Sequence, residues 1–237
     1  APTDAGADSA IAHFCASQSP APAFCDDFDD GGALLSDGGA YPPWGYGSAT
    51  YDSAVELDTT NVRSPPYAMR SETVPQTAAY VYPAAYVTKF IPSGVTRVTL
   101  GVDVYIAQID PSGGTTLFTL IVADASLPLV VTTPAGVAHV IEGYDAPDGA
   151  GQYPELGSSF TLVTKQWMRL VYAIDFAANT VALTMDSGSG PATMLPATHS
   201  ANPFTSNSPA AYLGIYYSQA TSTGSTVYYD NVTLDWN

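Results

Sequence analysis

Apolar and polar residues alternate along most of this chain. The clearest run is Arg97 to Ile106: Val98, Leu100, Val102, Val104 and Ile106 fall on one side, and polar or small residues fall mostly on the other. A period of two is that of a strand with one buried face. Met168 to Phe176 repeats it, with Met168, Leu170, Tyr172, Ile174 and Phe176 on the apolar side. Ala177-Ala178-Asn179 then reads as a turn, Val181 to Met185 as the returning strand, and Asp186-Ser187-Gly188-Ser189-Gly190-Pro191 as a break. Further strands are predicted over 53–58, 67–74, 79–91, 115–123, 128–133, 137–143, 159–164, 192–195, 210–218 and 226–235. No amphipathic helix of any length is evident. Residues 144–158 and 196–209 read as the longest loops inside the domain.

These elements belong to an all-β body. Pro and Gly, 19 and 20 residues, punctuate the strands in the manner of a sandwich or barrel. No linker divides residues 24–237 and no repeat of fixed period appears, so one β-sandwich is predicted there. Residues 1–23 are low in complexity and read as a loosely ordered tether or arm. Two carboxylate-bearing β-type runs stand at the ends of the domain, Phe24-Cys25-Asp26-Asp27-Phe28-Asp29-Asp30 and Val227 to Asn237. They are expected to lie side by side and close the sandwich.

Charge narrows the partners. Asp and Glu number 22 against six Lys and Arg, a net charge of −16. Nucleic acids and anionic membrane surfaces need basic patches, so both are disfavoured, as are polyanionic substrates. No run is long and apolar enough to be a transmembrane segment. Cys15 and Cys25 are expected to form a disulfide, which fits an exported protein. The Ala/Asp/Gly bias of Ala1 to Ala10 resembles the spacers that follow a lipid-anchored cysteine in surface lipoproteins of Gram-negative bacteria. It implies an extracellular or outer-surface location, with a lipid anchor upstream of residue 1.

The order of elements carries a resemblance. An N-terminal acidic strand is followed by a Trp-led strand, hairpin and return strand (Trp167 to Met185). Tyr212-Leu213-Gly214-Ile215-Tyr216-Tyr217 and a closing Tyr229-Asp230-Asn231-Val232-Thr233-Leu234-Asp235 come after it. This resembles the concanavalin A-like lectin/glucanase superfamily, including its laminin-G-like modules, over residues 24–237. The resemblance implies a jelly-roll β-sandwich of two antiparallel sheets. Its members include sugar-binding modules, glycoside hydrolases, polysaccharide lyases and adhesive domains, so fold leaves activity open.

Catalytic patterns are sparse. The Glu-x-Asp-x-x-Glu strand of the superfamily's glucanases is absent, and Glu56, Glu72, Glu142 and Glu155 are isolated. Arg70-Ser71-Glu72 resembles the Arg-rich strand of alginate lyases, and Tyr212 to Gln219 resembles their Tyr-Phe-Lys-Ala-Gly strand. The lysine and the Gln-Ile-His element are missing. His13, His139 and His199 sit at no metal-ligand or triad spacing.

Two ligand classes remain. Asp27, Asp29 and Asp30 with the Gly31 carbonyl, joined by Asp230 if the terminal strands are neighbours, could supply oxygens to a structural Ca²⁺. Aromatic side chains could stack on sugar rings; the candidates on loops or outward positions are Trp44, Tyr105, Tyr144, Tyr153 and Tyr216, with Tyr46 beside them. The expected function is a non-catalytic surface module that binds a neutral polysaccharide or other glycan. The alternatives are a subunit of an extracellular filament or surface layer, self-assembling through its N-terminal arm, and a polysaccharide lyase or hydrolase.

Overall fold

The structure is a computed structural model. It describes residues 13–35, 42–76, 82–111, 114–122, 125–132, 137–145, 151–200, 204, 207–218 and 223–237. The strands in chain order are β1 (Phe24–Asp26), β2 (Tyr46–Ala49), β3 (Ala54–Asp58), β4 (Ala68–Thr73), β5 (Ala85–Phe90), β6 (Arg97–Gln108), β7 (Thr115–Val122), β8 (Ala125–Thr132), β9 (Val137–Ile141), β10 (Gly143–Asp145), β11 (Gly151–Gln152), β12 (Glu155–Thr161), β13 (Trp167–Asp175), β14 (Thr180–Asp186), β15 (Ala192–His199), β16 (Ala210–Ile215) and β17 (Ser225–Trp236). The one helix among the described residues is a single turn, α1 (Phe14–Ser17). It is far too short to cross a membrane, and no described helix is long and apolar enough to do so.

All pairings are antiparallel. The first sheet runs β15-β14-β13-β6-β17-β4-β3, with β1 also on β17. The second runs β11-β10-β8-β7-β16-β5-β2, with β9 on β8 and β12 on β9. The two ends of the domain meet as expected: Phe24 stands opposite Leu234 and Asp26 opposite Val232. β4 takes the first half of the same edge of β17, from Ser225 to Tyr229.

The alternation read from the sequence is the alternation that packs. Val98, Leu100, Val102, Val104 and Ile106 of β6 are buried, as are Met168, Leu170, Tyr172 and Ile174 of β13. They face Leu213 and Ile215 of β16, Val87 of β5, and Phe118 and Leu120 of β7 in one core. Ser71 and Tyr229 supply three of the hydrogen bonds that cross between the sheets. Ser71 Oγ of β4 donates to the Ala85 carbonyl at 2.6 Å and accepts the Ile215 amide at 3.1 Å. The Tyr229 hydroxyl of β17 donates to the Leu117 carbonyl at 2.7 Å. Each satisfies a polar group that burial would otherwise penalise.

The expected loop over 144–158 is instead partly strand. β10 and β11 form a small hairpin, and β12 returns against β9. Side chains of β12 are mostly exposed, so ladder hydrogen bonds hold it without the apolar period that would reveal it in sequence. β2 escaped notice for the same reason: Tyr46-Gly47-Ser48-Ala49 has one buried residue, a glycine.

The segment ahead of β1 is tied to the sandwich. Cys15 and Cys25 are joined by a disulfide, Cα to Cα 5.7 Å. The Ala23 amide donates to Asp235 at 3.0 Å, and the Phe14 ring lies 5.3 Å from the Arg169 guanidinium. Of the loose arm expected over residues 1–23, residues 1–12 lie outside the described residues.

One titration in this region should be visible in bulk stability. The Asp26 carboxylate accepts the Phe28 amide at 2.8 Å and the Trp44 indole N–H at 2.7 Å. Burial outweighs both and pushes it up to about 6, against an ordinary 3.8. Between those values the folded protein holds a proton that the unfolded chain has lost, so stability falls as pH rises through the window. The thermal midpoint is therefore expected to rise on acidifying from pH about 7 to about 5. The rise should be smaller in Asp26→Asn; a wild-type profile that falls on acidification would refute this.

Candidate functional site

The outer face of the second sheet carries a cluster of tyrosines. On β16 Ala211, Leu213 and Ile215 point into the core, which turns Tyr212 and Gly214 outward; Tyr216 follows directly after the strand and is exposed. Register sets Tyr212 opposite Thr88 of β5 and Thr119 of β7, and Tyr46 of β2 opposite Thr88 from the other side. Ring centroids of Tyr86 lie 5.3 Å from Tyr212, 5.2 Å from Tyr216 and 6.4 Å from Tyr46, and Tyr212 lies 5.0 Å from Tyr216. Three phenols from three adjacent strands, with Tyr216 just past the end of β16, thus form one amphipathic surface.

Gly214 makes the cluster compact. Its φ of +119° suits glycine, and a Cβ there would stand 2.4 Å from the Ala85 carbonyl oxygen. The close approach of β16 to β5 lets Tyr212 and Tyr216 both reach Tyr86. Gly214→Ala is expected to lose about 1–3 kcal/mol and to disperse the cluster. Chemical denaturation and tyrosine fluorescence would report it; an unchanged midpoint and spectrum would contradict it.

The phenols differ in environment. Burial, then the neighbouring Tyr216, Tyr46 and Tyr212, push Tyr86 up to about 12. Tyr212 is raised by the same causes, burial first. Both are neutral at pH 7, as a tyrosine at its ordinary pKa of about 10 would also be, and can donate hydrogen bonds. Tyr46 and Tyr216 are the more open, 44% and 37% exposed. At the far side of this sheet His139 of β9 places Nδ1 2.8 Å from Glu155 Oε2, though off the line of a hydrogen bond. Residues of β7 and β8 separate it from the tyrosines.

The outer face of the first sheet is polar and charged. Register aligns Glu56, Arg70, Tyr228, Tyr105 and Trp167 across five strands. Arg70 donates to both Glu56 and Glu72, so one guanidinium bridges two carboxylates. The neighbouring row holds Asp230, Asp103 and Arg169, and a cleft of about 350 Å³ opens beside it, lined by Arg63, Asp103, Trp167, Arg169 and Asp186. Asp230 is spent within the fold. It accepts the Arg63 and Ser64 amides, each at 2.9 Å, the Ser64 hydroxyl at 3.1 Å and the Asn231 amide at 2.7 Å. Burial nevertheless pushes it up to about 6.

The residues singled out in the sequence end in different places. Trp44 is 4% exposed, packed on Phe24 and Phe28 at 5.1 and 6.3 Å, so neither ring face can meet a sugar. Tyr105 lies in the charged row of the first sheet. Tyr153 is 69% exposed between β11 and β12. Tyr144 is in β10, and its side chain lies outside the described residues. Tyr216 and Tyr46 join the tyrosine cluster. Asp27 and Asp29 are brought together, with His13 as the third member, while Asp30 and Asp230 stand outside that group. Arg70 and Tyr216, the two lyase-like fragments, face outward from opposite sheets and cannot act on one substrate. Sequence reading missed Tyr86, Tyr212 and His13 as site residues.

No protein-family model and no curated protein matches this chain in sequence. Solved structures do match by backbone. The chain is similar to an endo-β-1,4-glucuronan lyase from the fungus Trichoderma reesei, with a TM-score of 0.61 and 14% identity over 91% of this chain and 96% of that one. It is similar to a GH131 β-glucanase catalytic domain from Podospora anserina, at 0.52 and 15% over 88% and 93%. It is also similar to a family 7 alginate lyase solved with product bound, at 0.50 and 15% over 81% and 86%. Two lyases and a glucanase overturn the expectation of a non-catalytic binding module, which leaned on the lack of catalytic motifs. This backbone serves catalysis in sequences this far apart, so missing motifs carry no weight against an enzyme. With its two antiparallel sheets, the chain is a concanavalin A-like jelly-roll sandwich.

Proposed function

We propose that this protein cleaves a polysaccharide, by elimination, on the tyrosine face of the second sheet. The observation that carries the reading is the cluster of Tyr46, Tyr86, Tyr212 and Tyr216, in which Tyr46 and Tyr216 are open and Tyr86 and Tyr212 are half-buried beside them. Apolar ring faces suit the C–H faces of sugars, and phenol tips suit their hydroxyls. In elimination a uronate loses the proton at C5, the C4–O bond breaks, and the departing oxygen takes up a proton. Tyr216 would take up the C5 proton as its own hydroxyl proton passes to the departing oxygen, which leaves the phenol unchanged. Tyr86 and Tyr212, as donors, would hold the uronate carboxylate. No cation accompanies them on this face among the described residues, and the chain is strongly acidic. A polymer of scattered uronates in a mostly neutral chain therefore fits better than a dense polyanion. Hydrolysis would need two carboxyls across the sugar, and no such pair joins the cluster among the described residues. A secreted or surface-exposed setting agrees with the disulfide.

The test is a panel of neutral glucans, glucuronans, alginates and mixed uronate polymers. Absorbance of unsaturated uronates and release of reducing ends are followed together. Elimination gives both signals. Reducing ends without absorbance would replace elimination by hydrolysis. Neither signal on any polymer would sink the reading.

A further inference from the structure

We propose that His13, Asp27 and Asp29 hold one divalent transition-metal ion of the zinc class, which pins the segment ahead of β1 to the sandwich. One nitrogen of His13 and one carboxylate oxygen from each Asp all lie within 4.8 Å of one another. His13 Nδ1 and Asp29 Oδ2 are 3.1 Å apart, about the spacing of two ligands on one tetrahedral zinc with bonds of about 2.0–2.2 Å. The disulfide brings them together: it binds Cys15, two residues after His13, to Cys25, two residues before Asp27. The Cys15 amide donates to Asp27 Oδ2 at 3.0 Å and orients that carboxylate, as an outer-shell partner does.

An independent observation points to a missing ligand. The Asp29 side chain is fully buried, 0% exposed, and its Oδ1 has no hydrogen-bond partner. Burial and the adjacent Asp27 charge raise its pKa, and the Tyr67 amide and His13 hold that rise back. A buried carboxylate beside a second one, faced by a half-exposed imidazole, is under-compensated. A divalent cation would balance the pair. His13, at 50% exposure, leaves an entry path. The imidazole decides the class of ion: Ca²⁺ and Mg²⁺ take oxygen shells, whereas one nitrogen with two carboxylate oxygens and a water suits zinc and its neighbours.

The experiment uses the full chain stripped with a chelator. Titration with Zn²⁺ in a calorimeter should show one equivalent bound, and the thermal midpoint should rise with metal because only the folded state gathers the three ligands. Co²⁺ should give the visible absorption of a low-coordinate site. His13→Ala, at a half-exposed position, and Asp29→Asn should each weaken Zn²⁺ binding by more than about tenfold and remove the cobalt spectrum. Absence of stoichiometric Zn²⁺ binding, binding undiminished in His13→Ala, or a thermal response to Ca²⁺ in place of Zn²⁺ would each overturn the assignment. Polysaccharide cleavage enters none of these readouts.

Discussion

Tyr216→Phe is expected to fold as the parent does and to lose about 10²- to 10⁴-fold in polymer cleavage, the range assigned to positioned proton transfer. The phenyl ring keeps the contacts with Tyr86 and Tyr212 at 5.2 and 5.0 Å, so the loss isolates the hydroxyl. The effect should fall on kcat, with KM little changed, because stacking survives. Tyr86→Phe should behave differently. It removes a donor held to the bound sugar, so it should raise KM as well as lower kcat. Arg70→Ala serves as the control on the opposite face, and its cleavage rate should equal the parent's. Full activity in Tyr216→Phe would remove this residue from the chemistry. Loss of activity in Arg70→Ala without loss of stability would move the site to the first sheet.

Asp230→Ala is the substitution with the largest expected effect on folding. The carboxylate closes the loop at Arg63 and Ser64 against β17 and accepts four hydrogen bonds while fully buried. Removing it leaves two loop amides without an acceptor. A loss of about 3 kcal/mol or more is expected, a fall in Tm of roughly 6–12 °C for a chain of this size. Asp230→Asn, which keeps the volume but turns an N–H toward those amides, should lose most of the same amount. Equal midpoints for wild type and Asp230→Ala would show that the loop finds other partners. The neighbouring Asn231 gives a smaller companion effect, since its amide donates to Asp103 at 2.7 Å.

Much of the fold could be read from the sequence because burial on one face imposes its period directly. Val98 to Ile106 and Met168 to Ile174 needed no partner to be recognised as strands. The meeting of Phe24 with Leu234 followed from the matching runs at the two ends of the domain, and the Cys15–Cys25 bond from there being only two cysteines in a chain of exported character. The site was harder. Tyr46, Tyr86 and Tyr212 come from distant stretches, and periodicity says that a residue faces outward without saying which strand lies beside it. β4 and β5 are consecutive in the chain but belong to opposite sheets, so Arg70 and Tyr216 looked like parts of one site and are not. Trp44 looked like a loop aromatic, yet Asp26 takes its indole N–H and Phe24 and Phe28 enclose its ring. His13 could have been found: two residues before Cys15, it travels with the disulfide to the Asp27 turn.

The bonds from Ser71 to Ala85 and Ile215, and from Tyr229 to Leu117, bear on mechanics. A purely aliphatic interface between two plates tolerates shear, since dispersion contacts re-form after a small displacement. A dry hydrogen bond does not, because sliding by an ångström or two strands its donor and acceptor. These anchors, on neighbouring strands of the first sheet and joined by the Thr115–Ser225 contact at 3.0 Å, make the layers move as one slab. Any adaptation to a bound polymer must then arise at the rims, and cantilever pulling across the layers should give a single brittle rupture rather than gradual yielding.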